Sequence, residues 1–498
     1  MNQADKEFIM AIDQGSTTTK VILVNRQAEI VEESNTSFAI NYPDSGWVEF
    51  DAISVINSVL EGIKNVIDKS GINPKKIRSI GITNQRESVI IWDKNTSVPV
   101  GPGISWQCKR STELCRIVKD KGHTDLIREK TGLFLDSYYS ASKAKWIFEN
   151  NPGLSGKIKD LKFGNVDSWI IWNLTKGKYH STDVSNASRT LLLDIKSGKW
   201  DRELLELWDI PFNILPDIKM SSDDFGCLDS SIIGYGIPIN GCIGDAQSAL
   251  FGLGAFEKSS AVNTYGTASN MDINIGEDFL LSKNKIQTTI AWGLNDKIIY
   301  AFEGGVFTSG AVINWLKDKM FLIKNGKEAD EISERIKDTK GVYFVPAFVG
   351  FSAPYWDPYA RGTIVGLSNN TGKEEVVRAA LESIAFQVND ILMAAEKDIG
   401  ERIKILKVSG GVSKSDFILQ FQSDISQIEV VRSSFTHSTA LGAAFMAGLK
   451  CNFWAGENEI LKLLKSAKVF HPKMSHLRRE EILCNWTKAV KRSLNWLI

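Results

Sequence analysis

Residues 11 to 20 read AIDQGSTTTK: an apolar run ending on an acid, a glycine turn crowded with hydroxyls, and a lysine on the way out. β-Branched runs flank the turn, EFIMAID (7–13) and KVILVN (20–25), so the stretch predicts a hairpin, which AEIVEES (28–34) extends into an antiparallel meander. The tip offers backbone N–H groups, the hydroxyls of Ser16, Thr17 and Thr18, and the Lys20 ammonium. Such a set suits phosphate groups, although a polar hairpin turn accounts for it equally. Neither GxxxxGK[ST] nor a GxGxxG between a strand and a helix occurs, which disfavours the Walker-type and Rossmann folds.

Working outward, Asp51 reads as a cap, and Ile53, Ile56, Leu60, Ile63 and Ile67 then recur at helical spacing before IRSIGITN (77–84) returns to strand. Strands alternating with amphipathic helices predict an α/β fold. The second half repeats the plan. SAVNTYGTASNMDIN (260–274) is strand, glycine-hydroxyl turn, strand, followed by TTIAWG, IIYAFEGG and a helix from about Ser309. DQGST (13–17) and TYGTA (264–268) superpose at the turn after the first strand of each half, predicting an internal duplication and two lobes that face one another. A boundary near residue 255, beside Gly252 and Gly254, divides the chain into 1–255 and 256–498. A long helix over 373–399, a strand over 403–411 and a small-residue helix over 438–449 complete the second lobe.

The 498 residues are 43% hydrophobic, enough for more than one core, and 59 basic side chains balance 59 acidic ones. No net field draws this chain to nucleic acid, a membrane surface or an acidic partner, so the expected ligand is small. Six cysteines without paired spacing predict buried thiols. CxxC, HExxH and His/Cys clusters are missing, so a transition-metal site is not expected, whereas magnesium leaves no such trace. The start has no apolar h-region and no stretch is long and apolar enough to span a membrane, which predicts a cytoplasmic protein without membrane insertion.

Two acids occupy equivalent places. Asp13 ends a strand just before the hydroxyl turn, a position suited to holding magnesium, and Asp245 in GDAQSAL (244–250) stands at a strand-to-helix turn. Such a pair can divide the work of phosphoryl transfer between metal and general base, although acids at strand ends are also common without a role. In GITNQRESVIIW (81–92) Arg86 and Glu87 offer a donor fork and an acceptor that suit adjacent hydroxyls, or else form a solvated surface pair. Trp106 and Tyr138 supply a flat apolar wall and a phenol for a small polyol, with core packing as the alternative for Trp106. Gly410 and Gly411 in KVSGGVSKSD let a base or ribose approach the backbone, or make a tight turn. APYWDPYARG (353–362) reads as a structural loop between strands rather than a ligand site.

Taken together AIDQGSTTTK, GITNQRE, SWQCKR, YYSASKAKWIFEN, SNASRT, GDAQSALFG, NTYGTAS and GTIVGLSNNTGKEEVVRAALE resemble the glycerol kinase branch of the FGGY carbohydrate kinases, over nearly the whole chain and in order. The resemblance implies two actin-like, ribonuclease H-like ATPase domains with a central cleft, ATP and Mg²⁺ in that cleft, and transfer of the γ-phosphate to a terminal hydroxyl, glycerol being the first candidate. It assigns Asp245 as the base and Asp13 to magnesium, with Asp245 beside it. It places Arg86, Glu87, Trp106 and Tyr138 on the polyol, and Ser16, Thr17, Thr18 and Lys20 on the phosphates, although arginine is usual where Lys20 stands. On the nucleotide it places Thr267, Gly310, Asn314, Gly411 and Ser415, with glutamine and asparagine usual at 314 and 415. It also implies a homo-oligomer, dimer or tetramer. Two positions depart in the substrate pocket: Ala246 stands where a glutamine grips glycerol and Asn270 where a phenylalanine packs on it, which points alternatively to a four- or five-carbon polyol or ketose. Chaperone-like and filament-forming ATPases share such a cleft, but neither has a use for the polyol residues.

Overall fold

The computed structural model describes residues 7–435 and 437–497. Strand β1 (Phe8–Gln14) pairs antiparallel with β2 (Thr18–Val24), and β2 with β3 (Ile30–Ser37). Helix α1 (Ala52–Ser70) starts where the Asp51 carboxylate accepts from the Ile53 and Ser54 N–H groups, and it ends at Gly71 with φ of +63°. Its buried face carries Val55, Ile56, Val59, Ile63 and Val66, while Ile53 is 41% exposed. The apolar stripe is thus shifted from the predicted one, because the valines and not Ile53 turn toward the sheet. Strands β4 (Ile77–Asn84) and β5 (Ile239–Gly244) add in parallel on the far side of β1, giving the order β3-β2-β1-β4-β5.

After α2 (Asp245–Gly252), the second sheet is built from β6 (Ser260–Tyr265), β7 (Ser269–Gly276), β8 (Gln287–Leu294) and β9 (Lys297–Val306). Helices α3 (Gly310–Asp318) and α4 (Lys373–Ile399) follow, and α4 spans the residues the sequence predicts. Then come β10 (Ile405–Gly410), α5 (Asp416–Ser426), β11 (Glu429–Ser433), α6 (Ser438–Lys450) and β12 (Ser466–Phe470). The strand order is β8-β9-β7-β6-β10-β11-β12. Its inner five strands, β9-β7-β6-β10-β11, repeat the first lobe's sequence of two antiparallel and two parallel pairings. This is the duplicated ribonuclease H-like architecture.

The lobes are joined by more than a linker. Helix α6, from the second half of the chain, packs on β1, β4 and β5 of the first sheet and against α2. Contact is close enough that a Cβ at Gly81 would lie 2.0 Å from the Ala443 carbonyl oxygen, and one at Gly252 2.0 Å from that of Ser438. Leu250, Phe251, Val262, Trp292, Leu441 and Phe445 share one core between the lobes. Burial of the cysteines is uneven: Cys108, Cys115 and Cys242 are buried, but Cys227 and Cys484 are exposed and Cys451 is half-buried. Uniform burial was the wrong expectation, because helical or apolar neighbours in sequence do not say which face a side chain takes.

Candidate active site

The carboxyl ends of β1, β4 and β5 lie side by side, Gln14 pairing with Asn84 and Asn84 with Gly244, so the segments leaving them converge. Ligand sites in α/β sheets form at such strand ends. Strand β1 delivers Asp13 and the Gly15–Thr17 turn, β4 runs out to Arg86 and Glu87, and β5 hands over to α2, whose first residue is Asp245. There the helix dipole favours a carboxylate, and Asp245 Oδ1 also accepts from the Ala246 N–H at 2.8 Å. Glu87 takes φ of +63°, a conformation that side chains rarely adopt and that concentrates at functional sites. The second lobe closes the other side with Thr264, the Gly266–Ala268 turn, Asn270, Glu303 and Gly305. Between them is a cavity of about 700 Å³ whose first-lobe wall is Arg86, Trp106, Tyr138, Asp245 and Ala246.

A buried ionic network holds that wall. Arg86 Nη1 donates to Glu303 Oε2 at 2.5 Å and to Gln247 Oε1 at 3.1 Å, and Arg86 Nε lies 3.0 Å from Asp245 Oδ1. Arg189, 1% exposed, donates from Nε to Glu87 Oε1 at 2.7 Å and from Nη2 to Glu303 Oε1 at 2.8 Å. Glu303 therefore ties both guanidiniums across the two lobes. Burial opposes its ionisation, but Arg189 and Arg86 win and hold its carboxyl below the usual range. Asp245 differs. Lying deep in the cleft, though with 42% of its side chain open to the cavity, it is raised by desolvation, against the pull of Arg86. A carboxylate of raised pKa beside a cavity is a better proton acceptor than an ordinary aspartate.

The predicted polyol residues come together with one qualification. Arg86, Trp106, Tyr138, Asp245, Ala246 and Asn270 line the cavity, whereas Glu87 lies behind its surface, 1% exposed and held by Arg189. Trp106 meets Tyr138 edge-on at 5.4 Å and donates from Nε1 to Ser16 Oγ at 3.0 Å, so the aromatic wall and the hydroxyl turn are coupled. Lys20 turns to the other lobe: its Nζ donates to His437 Nδ1 at 2.6 Å, which assigns the imidazole proton to Nε2, facing Glu33 Oε2 at 3.0 Å. Thr17 is exposed and Thr18 half-buried. In the second lobe the Gly266–Ala268 turn abuts the start of α3, with the Gly310 N–H donating to Gly266 O at 2.9 Å, which brings Thr267 and Gly310 together. Asn314 is exposed on α3, and Gly411 has open space around it. The Ser415 hydroxyl accepts from the Ile418 N–H as the cap of α5 and donates to Asp330 Oδ1 at 2.6 Å, so it is engaged within the protein.

One expectation needs correcting. The loop over 353–362 is not only structural, because Trp356 lines the cavity and packs at 4.8 Å, tilted by 57°, against Phe134 from the first lobe. Sequence reasoning missed Arg189, Glu303 and Gln247 altogether. Arg189 lies within SNASRT, but its role depends on two carboxylates 102 and 114 positions away in the chain.

Asp13 fits a cation. Among the described residues no donor satisfies its carboxylate. Burial raises its pKa to about 7, Lys20 opposing that rise and Asp245 adding to it. Since the folded pKa exceeds the unfolded one, the stability Asp13 contributes is fully present below about 4 and lost as pH rises through about 7. An Asp13→Asn protein should accordingly gain in melting temperature relative to the wild type as pH rises from 4 to 7, and millimolar Mg²⁺ should abolish that gain by binding the ionised wild-type acid. A pH-independent difference would mean that Asp13 does not titrate high, and a gain unaffected by Mg²⁺ would count against a cation at this carboxylate.

Comparison with known proteins accords with this geometry. Residues 8–252 match the N-terminal domain, and residues 261–451 the C-terminal domain, of the FGGY family of carbohydrate kinases. The glycerol kinase of Caldanaerobacter subterraneus subsp. tengcongensis is 47% identical over 492 residues, covering 98% of this chain and 99% of the relative. The crystal structure of Plasmodium falciparum glycerol kinase with ADP superposes with a TM-score of 0.93 at 39% identity, covering 98% of each chain. A gluconate kinase from Lactobacillus acidophilus, 22% identical and covering 99% of this chain and all of that one, shares the fold with a TM-score of 0.90. Two lobes of matching strand order, both domains matched in sequence, and an acid-lined cleft between them place this chain in the FGGY family of carbohydrate kinases, as an ATP-dependent phosphotransferase.

Proposed function

We propose that the protein transfers the γ-phosphate of ATP to a terminal hydroxyl of a small polyol, with glycerol as the first candidate. The observation that carries this reading is the convergence of Asp245, Arg86, Trp106 and Tyr138 on one cavity at the strand ends. Phosphoryl transfer needs positioning and charge neutralisation more than covalent work by the protein. Asp245 accepts the proton of the attacking hydroxyl, while Arg86 and the Tyr138 phenol bind the neighbouring hydroxyls and Trp106 packs on the carbons. Ser16, Thr17 and the Gly266–Ala268 turn offer donors to the phosphates from both lobes. Asp13, with Asp245 nearby, would hold magnesium, which neutralises phosphate charge when bound. Closure of the lobes removes water, so that phosphate passes to the alcohol in preference to hydrolysis.

A second reading, a four- or five-carbon polyol or ketose, is favoured by Ala246 and Asn270, which leave the cavity wider and more polar than a wall bearing glutamine and phenylalanine. Either reading requires that ATP consumption by the purified protein, followed in a coupled assay, depend on added polyol. Equal consumption without polyol would refute both and leave a filament- or chaperone-type ATPase.

A further inference from the structure

The second-lobe wall of the cavity carries a polar pair that phosphoryl transfer to a triol leaves unused. Asn270, on β7, lines the cavity, and its Nδ2 donates to Asp272 Oδ2 at 2.7 Å. Two residues along the strand, Asp272 lies on the same face of the sheet. It is 2% exposed, and its Oδ1 has no hydrogen-bond partner among the described residues. Strand β9 places Glu303 directly opposite Asp272 and Gly305 opposite Asn270. Burial raises the Asp272 pKa, with Glu303 adding to the rise and Arg86 and Arg189 opposing it, which favours the neutral carboxyl. Like charges facing each other across a strand pair would otherwise be destabilising.

This arrangement fixes which way the amide points. With one N–H committed to Asp272, Asn270 keeps its Oδ1 and a second N–H for the cavity. A triol uses its hydroxyls on the first lobe, one at Asp245 and the others at Arg86 and Tyr138. The amide then stays unmatched once closure excludes water, and an unmatched polar group in a closed site is costly. Glycine at 305 leaves the opposing strand without a side chain there, and Ala246 contributes only a methyl group, so an additional carbon has room.

We propose that Asn270, positioned by Asp272, binds a hydroxyl on a fourth carbon, making a tetritol a better acceptor than glycerol; the proposal rests on the polyol kinase reading above.

The test is a comparison on the wild-type protein of glycerol, erythritol, threitol and 1,2,3-butanetriol, which has four carbons but lacks the fourth hydroxyl. One tetritol should exceed glycerol in kcat/KM by about tenfold or more, and butanetriol should fall about 100-fold or more below that tetritol, because a site built to bond a hydroxyl rejects the analogue lacking it. Asp272→Leu should raise KM for the tetritol more than it lowers kcat and reduce the tetritol-to-glycerol ratio about tenfold, whereas Asp272→Asn, which retains an acceptor for the Asn270 amide, should preserve the ratio. Glycerol matching or exceeding both tetritols, or butanetriol matching its parent, overturns the proposal even if Asp272→Leu fails to fold. If no polyol supports ATP consumption, the polyol kinase reading itself falls and the proposal with it.

Discussion

Asp245→Asn should lower kcat by about 10³-fold, the scale of a lost general base, while KM for the polyol changes by much less. The amide is nearly isosteric and keeps an oxygen to accept from the Ala246 N–H, so the start of α2 should persist. What it cannot do is take a proton. The pH profile separates this from a packing defect. In the wild type kcat should rise with pH as Asp245 ionises, with a midpoint above the ordinary aspartate value because desolvation outweighs Arg86. The variant should lose that limb and retain a low rate with little pH dependence in the acid range. Retention of near-normal kcat, or an unchanged acid limb, would transfer the role of base to another group.

Arg189→Met should be the most damaging substitution after Asp245→Asn. Arg189 is not one of the residues that the resemblance assigns to a ligand, yet it is all but fully buried and binds Glu87 and Glu303 at once. Removing one partner of a buried ion pair leaves the other charged and unsolvated, at a cost of about 3–5 kcal/mol. We expect a clear fall in the thermal midpoint together with loss of kcat/KM, since Glu303 also fixes Arg86. The pairing is tested by a double-mutant cycle with Glu303→Gln. Because the residues share one network, the double variant should be less destabilised than the sum of the two single variants. Additive effects would mean that Arg189 stabilises the fold through packing alone.

Much of this architecture was legible in local sequence. The hairpin at AIDQGSTTTK, the capped helix after Asp51 and the long helix over 373–399 follow from short-range rules: β-branched runs around a glycine turn, a carboxylate on free N–H groups, helical spacing of apolar residues. The repeat of the hairpin motif also predicted the duplication, which the matching strand orders show. For the same reason Asp13 and Asp245 were identifiable as strand-end acids before any contact was known.

Other features depend on residues far apart in the chain. Nothing near Arg189 says that Glu87 and Glu303 will flank it, and nothing near Lys20 says that its partner is His437, 417 positions away. Whether Trp356 faces the cavity and which cysteines are buried were likewise decided only when strands and loops took their places. Sequence alone determined the elements and the acids that end them, because capping, turn chemistry and periodicity act within a few residues. The tertiary structure decided which charges are paired and which remain open to the cleft, because pairing and desolvation act through space.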